Sequence, residues 1–131
     1  MQVAGVDVRS LLEAAKAVSA HSYVPYSKQP CGAVLVAADG RRFTGVSVEV
    51  RNYASSVCAP KAALVSALSA GARDFSLLVV AGAGADMSYL CGDCRQSYAE
   101  FSPGMNVVSE VDPKSSRSLG TLLPEAFGIS R

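Results

Sequence analysis

The chain has 131 residues, half of them hydrophobic and 18% charged, with a formal net charge of +1. That is the length of one ordinary domain, and a single domain over 1–131 is expected. The composition excludes a largely disordered chain and, with no basic block anywhere, a binder of long nucleic acid.

From the first residue, Met1 to Leu12 has no apolar h-region, and no apolar run reaches the roughly 18 residues of a membrane span. A soluble, cytoplasmic protein is expected. Asp7 reads as an N-cap. Val8 to Ala20 then sets Leu11, Leu12, Ala15 and Val18 on one helical face. Residues 21–30 read as a loop. Cys31 to Ala38, the turn Asp39-Gly40 and Arg41 to Glu49 form a β-hairpin pattern.

After a polar loop at 50–57, a helix is predicted from Cys58 to Ala70, stopped by Gly71. Phe75 to Ala81 is a continuous apolar run, the pattern of a strand buried on both faces. A Gly-rich loop at 82–90 leads to a helix from Cys91 to Phe101. A short strand at Asn106–Ser109 follows, then a loop at 110–118. A last helix, Leu119 to Phe127, is bent at Pro124. The order α-β-β-α-β-α-β-α predicts an α/β fold, one mixed sheet of about five strands with helices on both faces. The strands separated by helices should run parallel.

Four cysteines without a signal peptide favour metal binding over disulfides. Cys91 and Cys94 are separated by two residues, and Cys58 lies 32 intervening residues upstream. Cys58 and Cys91 each open a predicted helix, where partial positive charge favours thiolate. Three such thiolates suit one Zn²⁺ and leave a fourth position open, the mark of a catalytic site. Two alternatives stay open: a Cys-x-x-Cys redox pair, and a closed structural zinc with Cys31 as fourth ligand. The single histidine, His21, reads as a surface residue.

Several collinear stretches then resemble the small, zinc-dependent cytidine deaminase family, with blasticidin-S deaminases as close relatives. They are Ser22-Tyr23-Val24-Pro25-Tyr26-Ser27-Lys28, Gly32-Ala33, Phe43-Thr44-Gly45-Val46, Glu49, Cys58-Ala59, Cys91-Gly92-Asp93-Cys94-Arg95-Gln96 and Leu122-Leu123-Pro124-Glu125-Ala126-Phe127-Gly128. The resemblance spans about residues 10–127. It implies a helix–sheet–helix sandwich, a homotetramer with sites near subunit interfaces, and Phe127 reaching toward a neighbour.

It also exposes departures. The family carries Cys-Ala-Glu-Arg at the first ligand, and that Glu is the general acid/base rather than a ligand. Here Pro60 stands in its place, with Lys61 for the Arg. Gln29 matches a family Phe that stacks on the pyrimidine, and Ser47 matches an Asn that binds ribose. Glu49 keeps the other ribose-binding acid. Leu90 replaces a Pro, and Asp93 adds a carboxylate between the two later cysteines.

Asp93 is therefore the candidate replacement acid, with a solvent-facing residue in a helical first turn as the alternative. The expected function is a divergent zinc hydrolase acting on a small nucleoside-like or amidine-containing molecule. A catalytically inactive binding or partner subunit and a slow cytidine deaminase stand as alternatives.

Overall fold

The structure, a computed structural model, describes residues 2–82 and 89–128. The centre of the expected Gly-rich loop lies outside that range. The chain opens with an unanticipated hairpin, β1 (Gln2–Val3) and β2 (Val6–Asp7), joined by a two-residue turn at Ala4-Gly5. Both turn residues have positive φ, as a tight hairpin turn requires. Asp7 then caps α1 (Val8–Val18), its carboxylate accepting from the Arg9 amide at 3.2 Å. A 3₁₀ turn at Ser19–His21 ends this segment.

The main sheet holds β3 (Gly32–Ala37), β4 (Arg42–Val46), β5 (Phe75–Ala81), β6 (Asn106–Ser109) and β7 (Asp112–Ser118), in the spatial order β4-β3-β5-β6-β7. β3 pairs antiparallel with both β4 and β5, so β4 and β5 run the same way. α2 (Ala59–Ser69) is the crossover between them. α3 (Gly92–Ala99) lies in the crossover between β5 and β6, which pair parallel. Both predicted parallel crossovers are present, and the mixed five-stranded α/β sheet is as expected.

β7 corrects the loop expected at 110–118. Its sequence, Asp-Pro-Lys-Ser-Ser-Arg-Ser, has little strand propensity and hardly any apolar alternation. Pairing with β6 and an edge position override propensity, and an edge strand tolerates Pro113. The last helix is also shorter than expected. α4 covers only Leu119–Leu122, because the residue before Pro124 is pushed out of the α region, with Leu123 at φ −141°.

Two apolar layers cover the sheet. On one face Val34, Val36, Leu77, Val79 and Val108 pack against Val8, Leu11 and Ala15 of α1. On the other, Ala33, Leu35, Leu78, Val80 and Val107 pack against Ala59, Ala63, Leu64 and Ala67 of α2 and Cys94, Tyr98 and Ala99 of α3. This is the expected helix–sheet–helix sandwich. The continuous burial of β5 follows from its place in the middle of the sheet.

The approach of α2 to the sheet is set by a missing side chain. A Cβ on Gly45 of β4 would run into the backbone of Ala59 and Ala63. Gly45→Ala must push α2 outward, and overpacking of this kind costs ~1–3 kcal/mol. We expect a clear fall in Tm on thermal melting, with weaker zinc binding, because Cys58 immediately precedes α2. An unchanged melting curve would show that α2 can shift freely.

Candidate metal centre and cavity

Cys58 is the N-cap of α2 and Cys91 the N-cap of α3, both with extended backbone and no side-chain capping bond. Cys94 follows one turn into α3 and is fully buried. The two helices converge on the same face of the sheet, so their starts meet. The Sγ atoms of Cys58, Cys91 and Cys94 lie within 4.8 Å of one another, and Cys58 Sγ is 3.9 Å from Cys91 Sγ. Two thiolates on one tetrahedral Zn²⁺, at about 2.3 Å each, stand about 3.8 Å apart. The donor set and its spacing fit a single zinc ion.

The thiols also show how they share protons. Hydrogen bonds from the Cys94 and Cys91 thiols, with Lys61 nearby, pull Cys58 down to about 6. The bond to Cys58 and burial push Cys94 up. Cys58 therefore ionises before Cys94, and a dication would displace the proton that Cys94 holds.

The backbone entering α3 is strained. Leu90 has φ +79° although it carries a branched, buried side chain, a conformation that costs ~1–3 kcal/mol. Its carbonyl accepts from Arg95 Nε at 3.1 Å, and Arg95 also donates to the Leu122 carbonyl at 2.8 Å. Arg95 thus holds the residue before Cys91 from inside the same helix. Cys31 is not part of the thiol cluster. It lines the same cavity beside Ser47, and burial pushes its thiol up to about 11.

The three thiols open onto a cavity of ≈ 280 Å³. Gln29, Ser47, Glu49 and Pro60 line it as well, so the structure gathers these four and the three thiols in one place. Ser47 Oγ accepts from the Ala59 amide at 3.3 Å, filling the capping position that Cys58 leaves open. Pro60 forms part of the wall from the first turn of α2, where its missing N–H has no intrahelical partner to lose.

Glu49 is 7% exposed. Its Oε1 accepts from the Ser27 and Tyr26 amides at 2.9 and 3.1 Å, and its Oε2 accepts from the Tyr53 hydroxyl at 3.2 Å. Hydrogen bonds from Ser27, hydroxyl and amide, hold the carboxyl below its usual range. Glu49 is thus a fixed, ionised acceptor.

Asp93 and Phe127 stand elsewhere. The Asp93 side chain is 77% exposed, with Oδ2 3.2 Å from Lys61 Nζ, and it is not among the cavity-lining residues. Phe127 is 86% exposed, and its carbonyl accepts from Gln96 Nε2 at 3.0 Å. Tyr53 and Ser27, which orient Glu49, were not anticipated. Tyr53 lies only four residues beyond Glu49, but that spacing gains meaning only once the chain folds back through the 3₁₀ turn at Tyr53–Ser55.

Comparison with known proteins agrees with this geometry. The family described as the cytidine and deoxycytidylate deaminase zinc-binding region matches residues 6–110, which include all three clustered cysteines. A cytidine deaminase from Sporosarcina psychrophila is 37% identical over 125 residues, covering 93% of this chain and 92% of that protein. The crystal structure of cytidine deaminase from Burkholderia pseudomallei superposes with a TM-score of 0.86 at 40% identity, covering 93% of this chain and all of that one. The cytidine deaminase structure from Mycobacterium tuberculosis gives 0.83 at 34% identity, covering 95% and 99%. Three thiols at the starts of two converging helices, in a fold shared along nearly the whole chain, place this protein in the cytidine and deoxycytidylate deaminase family.

Proposed function

We propose that this chain keeps the metal and the small-molecule cavity of its family but not the family's proton-transfer group. It binds a nucleoside-like molecule without deaminating cytidine at the family's rate. The observation that carries this reading is Pro60, which stands in the cavity wall two residues after Cys58, where the resemblance puts the acid/base Glu. Proline has no titratable group there. Among the described residues lining the cavity, Glu49 is the one carboxylate, and three hydrogen bonds already occupy it. The outward position of Asp93, paired with Lys61, weighs against Asp93 as a replacement acid.

Cys58, Cys91 and Cys94 would hold the zinc, which supplies Lewis acidity that activates water. Glu49 accepts a hydroxyl or amine donor from the bound molecule. Ser47 fixes the start of α2, and Gln29 adds an amide where the resemblance has an aromatic ring. Buried Val80 and Leu90 give that cavity apolar walls and exclude water.

A second reading keeps chemistry. The clustered thiols open onto the cavity rather than being closed off by Cys31, so a substrate carrying its own proton-transfer group would be hydrolysed without Glu. This is the divergent hydrolase on an amidine-containing molecule. As the resemblance implies, we take the protein to be a homotetramer with Phe127 reaching toward a neighbouring subunit, and from its N-terminal composition we place it in the cytoplasm. Among the described residues no helix is long and apolar enough to cross a membrane.

The test combines zinc analysis, calorimetric titration with nucleosides and a cytidine deamination assay by ultraviolet absorbance. We expect one zinc per chain, saturable nucleoside binding, and no turnover above that of the zinc-stripped protein. Rapid cytidine turnover by the wild-type protein would overturn the proposal. Turnover of an amidine panel without cytidine turnover would favour the second reading.

A further inference from the structure

The three thiols come from two helices, so their spacing depends on whatever fixes α2 against α3. An ion pair between half-buried Lys61 and exposed Asp93, at 3.2 Å, joins the first turns. A pair open to solvent on the Asp93 side is partly screened by salt. A second polar connection is buried. Tyr98 has no exposed surface, and its hydroxyl donates to the Pro60 carbonyl at 2.6 Å.

Tyr98 sits four residues after Cys94, so both side chains project from the same face of α3. Pro60 sits two residues after Cys58, in the first turn of α2. The bond therefore connects the helical turn behind one pair of ligands to the turn behind the third. Both ends are rigid. The proline ring fixes φ at the acceptor residue, and the Tyr98 ring packs edge-on against Phe75 of β5, with centroids 6.4 Å apart at 77°. A phenol serves here where an apolar side chain would fill the same core, so the hydroxyl has a task beyond packing.

We infer that Tyr98 is a positioning residue for the metal centre: its hydrogen bond to the Pro60 carbonyl sets the distance between the two helix starts, and with it the match of the three thiols to zinc. The inference rests on the reading that Cys58, Cys91 and Cys94 hold that ion. Outer contacts that orient ligands typically change metal affinity by ~10- to 100-fold. This contact acts through backbone rather than directly on sulfur.

The experiment compares the full-length wild-type protein with Tyr98→Phe, which removes one oxygen atom and keeps the ring. Zinc affinity is read by competition with a chromophoric chelator. Melting temperatures are taken for the zinc-free and zinc-loaded forms, and the visible spectrum of the cobalt-substituted protein reports ligand geometry. We expect ~10-fold weaker zinc binding, a smaller rise in Tm on adding zinc, and an altered cobalt spectrum. Lys16→Ala, which breaks an exposed ion pair to Glu110 on the α1 side of the sheet, should change none of these by more than about twofold.

An equal fall in Tm for both forms, with zinc affinity and cobalt spectrum unchanged, would mean that the hydroxyl only stabilises the core. That result overturns the inference and leaves the metal reading intact. Wild-type protein that takes up no zinc would overturn the metal reading itself.

Discussion

Replacing Pro60 with glutamate is expected to raise cytidine turnover by ~10² to 10⁴ over the wild-type protein, the range that a positioned acid/base supplies. The site can accept the change. Pro60 occupies the first turn of α2, where backbone N–H groups have no intrahelical partner, so a new N–H adds no unmet demand. A carboxylate near a helix N-terminus also interacts favourably with the dipole. The Pro60 carbonyl, which accepts from Tyr98, belongs to the backbone and survives the substitution. The new side chain would start from the cavity wall beside Cys58.

The gain should appear in kcat, because Gln29 and Ser47 still line the pocket in place of the residues the resemblance implies. An absorbance assay at saturating cytidine, with zinc content checked for each preparation, measures it. If Pro60→Glu carries full zinc, binds nucleosides and still shows no rise, then the missing acid is not what separates this chain from its active relatives. The partner-subunit alternative would gain.

The second large effect is expected from Cys94→Ser. Cys94 is buried and central to the cluster, and a serine hydroxyl does not ionise to replace a thiolate. Structural zinc sites bind with roughly 10 to 16 kcal/mol shared among four ligands. Loss of one ligand is then about 3 kcal/mol, or more than 10²-fold in affinity. Zinc analysis after gel filtration should fall from one per chain to a small fraction.

Stability should fall with it. An ion present at 1,000 times its dissociation constant stabilises the native state by about 4.1 kcal/mol. In a chain of this length the loss would lower Tm by on the order of 10 to 20 °C. Cys31→Ser is the control. Cys31 lines the cavity but lies outside the cluster, so zinc content should not change. Full zinc retention in Cys94→Ser, or zinc loss in Cys31→Ser, would show that the ligand set has been misassigned.

What could be read in the sequence depended on the range of the interaction. The strand Phe75–Ala81 declares itself because a central strand is apolar on both sides. Asp7 caps its helix through a bond to the Arg9 amide, two residues away. The cysteine spacing and the helix starts at Cys58 and Cys91 identified the metal site, because ligand spacing and helix-end polarity are local properties. Strand β7 was not legible. Its polar residues pair only because β6 offers an open edge, which local composition does not encode.

The candidate site divides in the same way. Cysteine spacing picked out Cys58, Cys91 and Cys94, the family resemblance picked out Gln29, Ser47, Glu49 and the anomaly at Pro60, and the fold set all seven around one cavity. The sequence left undecided whether Cys31 closed the thiol cluster and where Asp93 pointed. Those depend on rotation of a strand or helix about its axis, which tertiary packing fixes. The sheet holds Cys31 against Ser47, outside the cluster, and the approach of α2 to α3 turns Asp93 outward onto Lys61. The link from Tyr98 to Pro60 spans 38 positions and exists only once both helices lie on one face of the sheet. Residue chemistry determined which groups this protein has to work with. Packing of two helices against a shared sheet decided which of them meet.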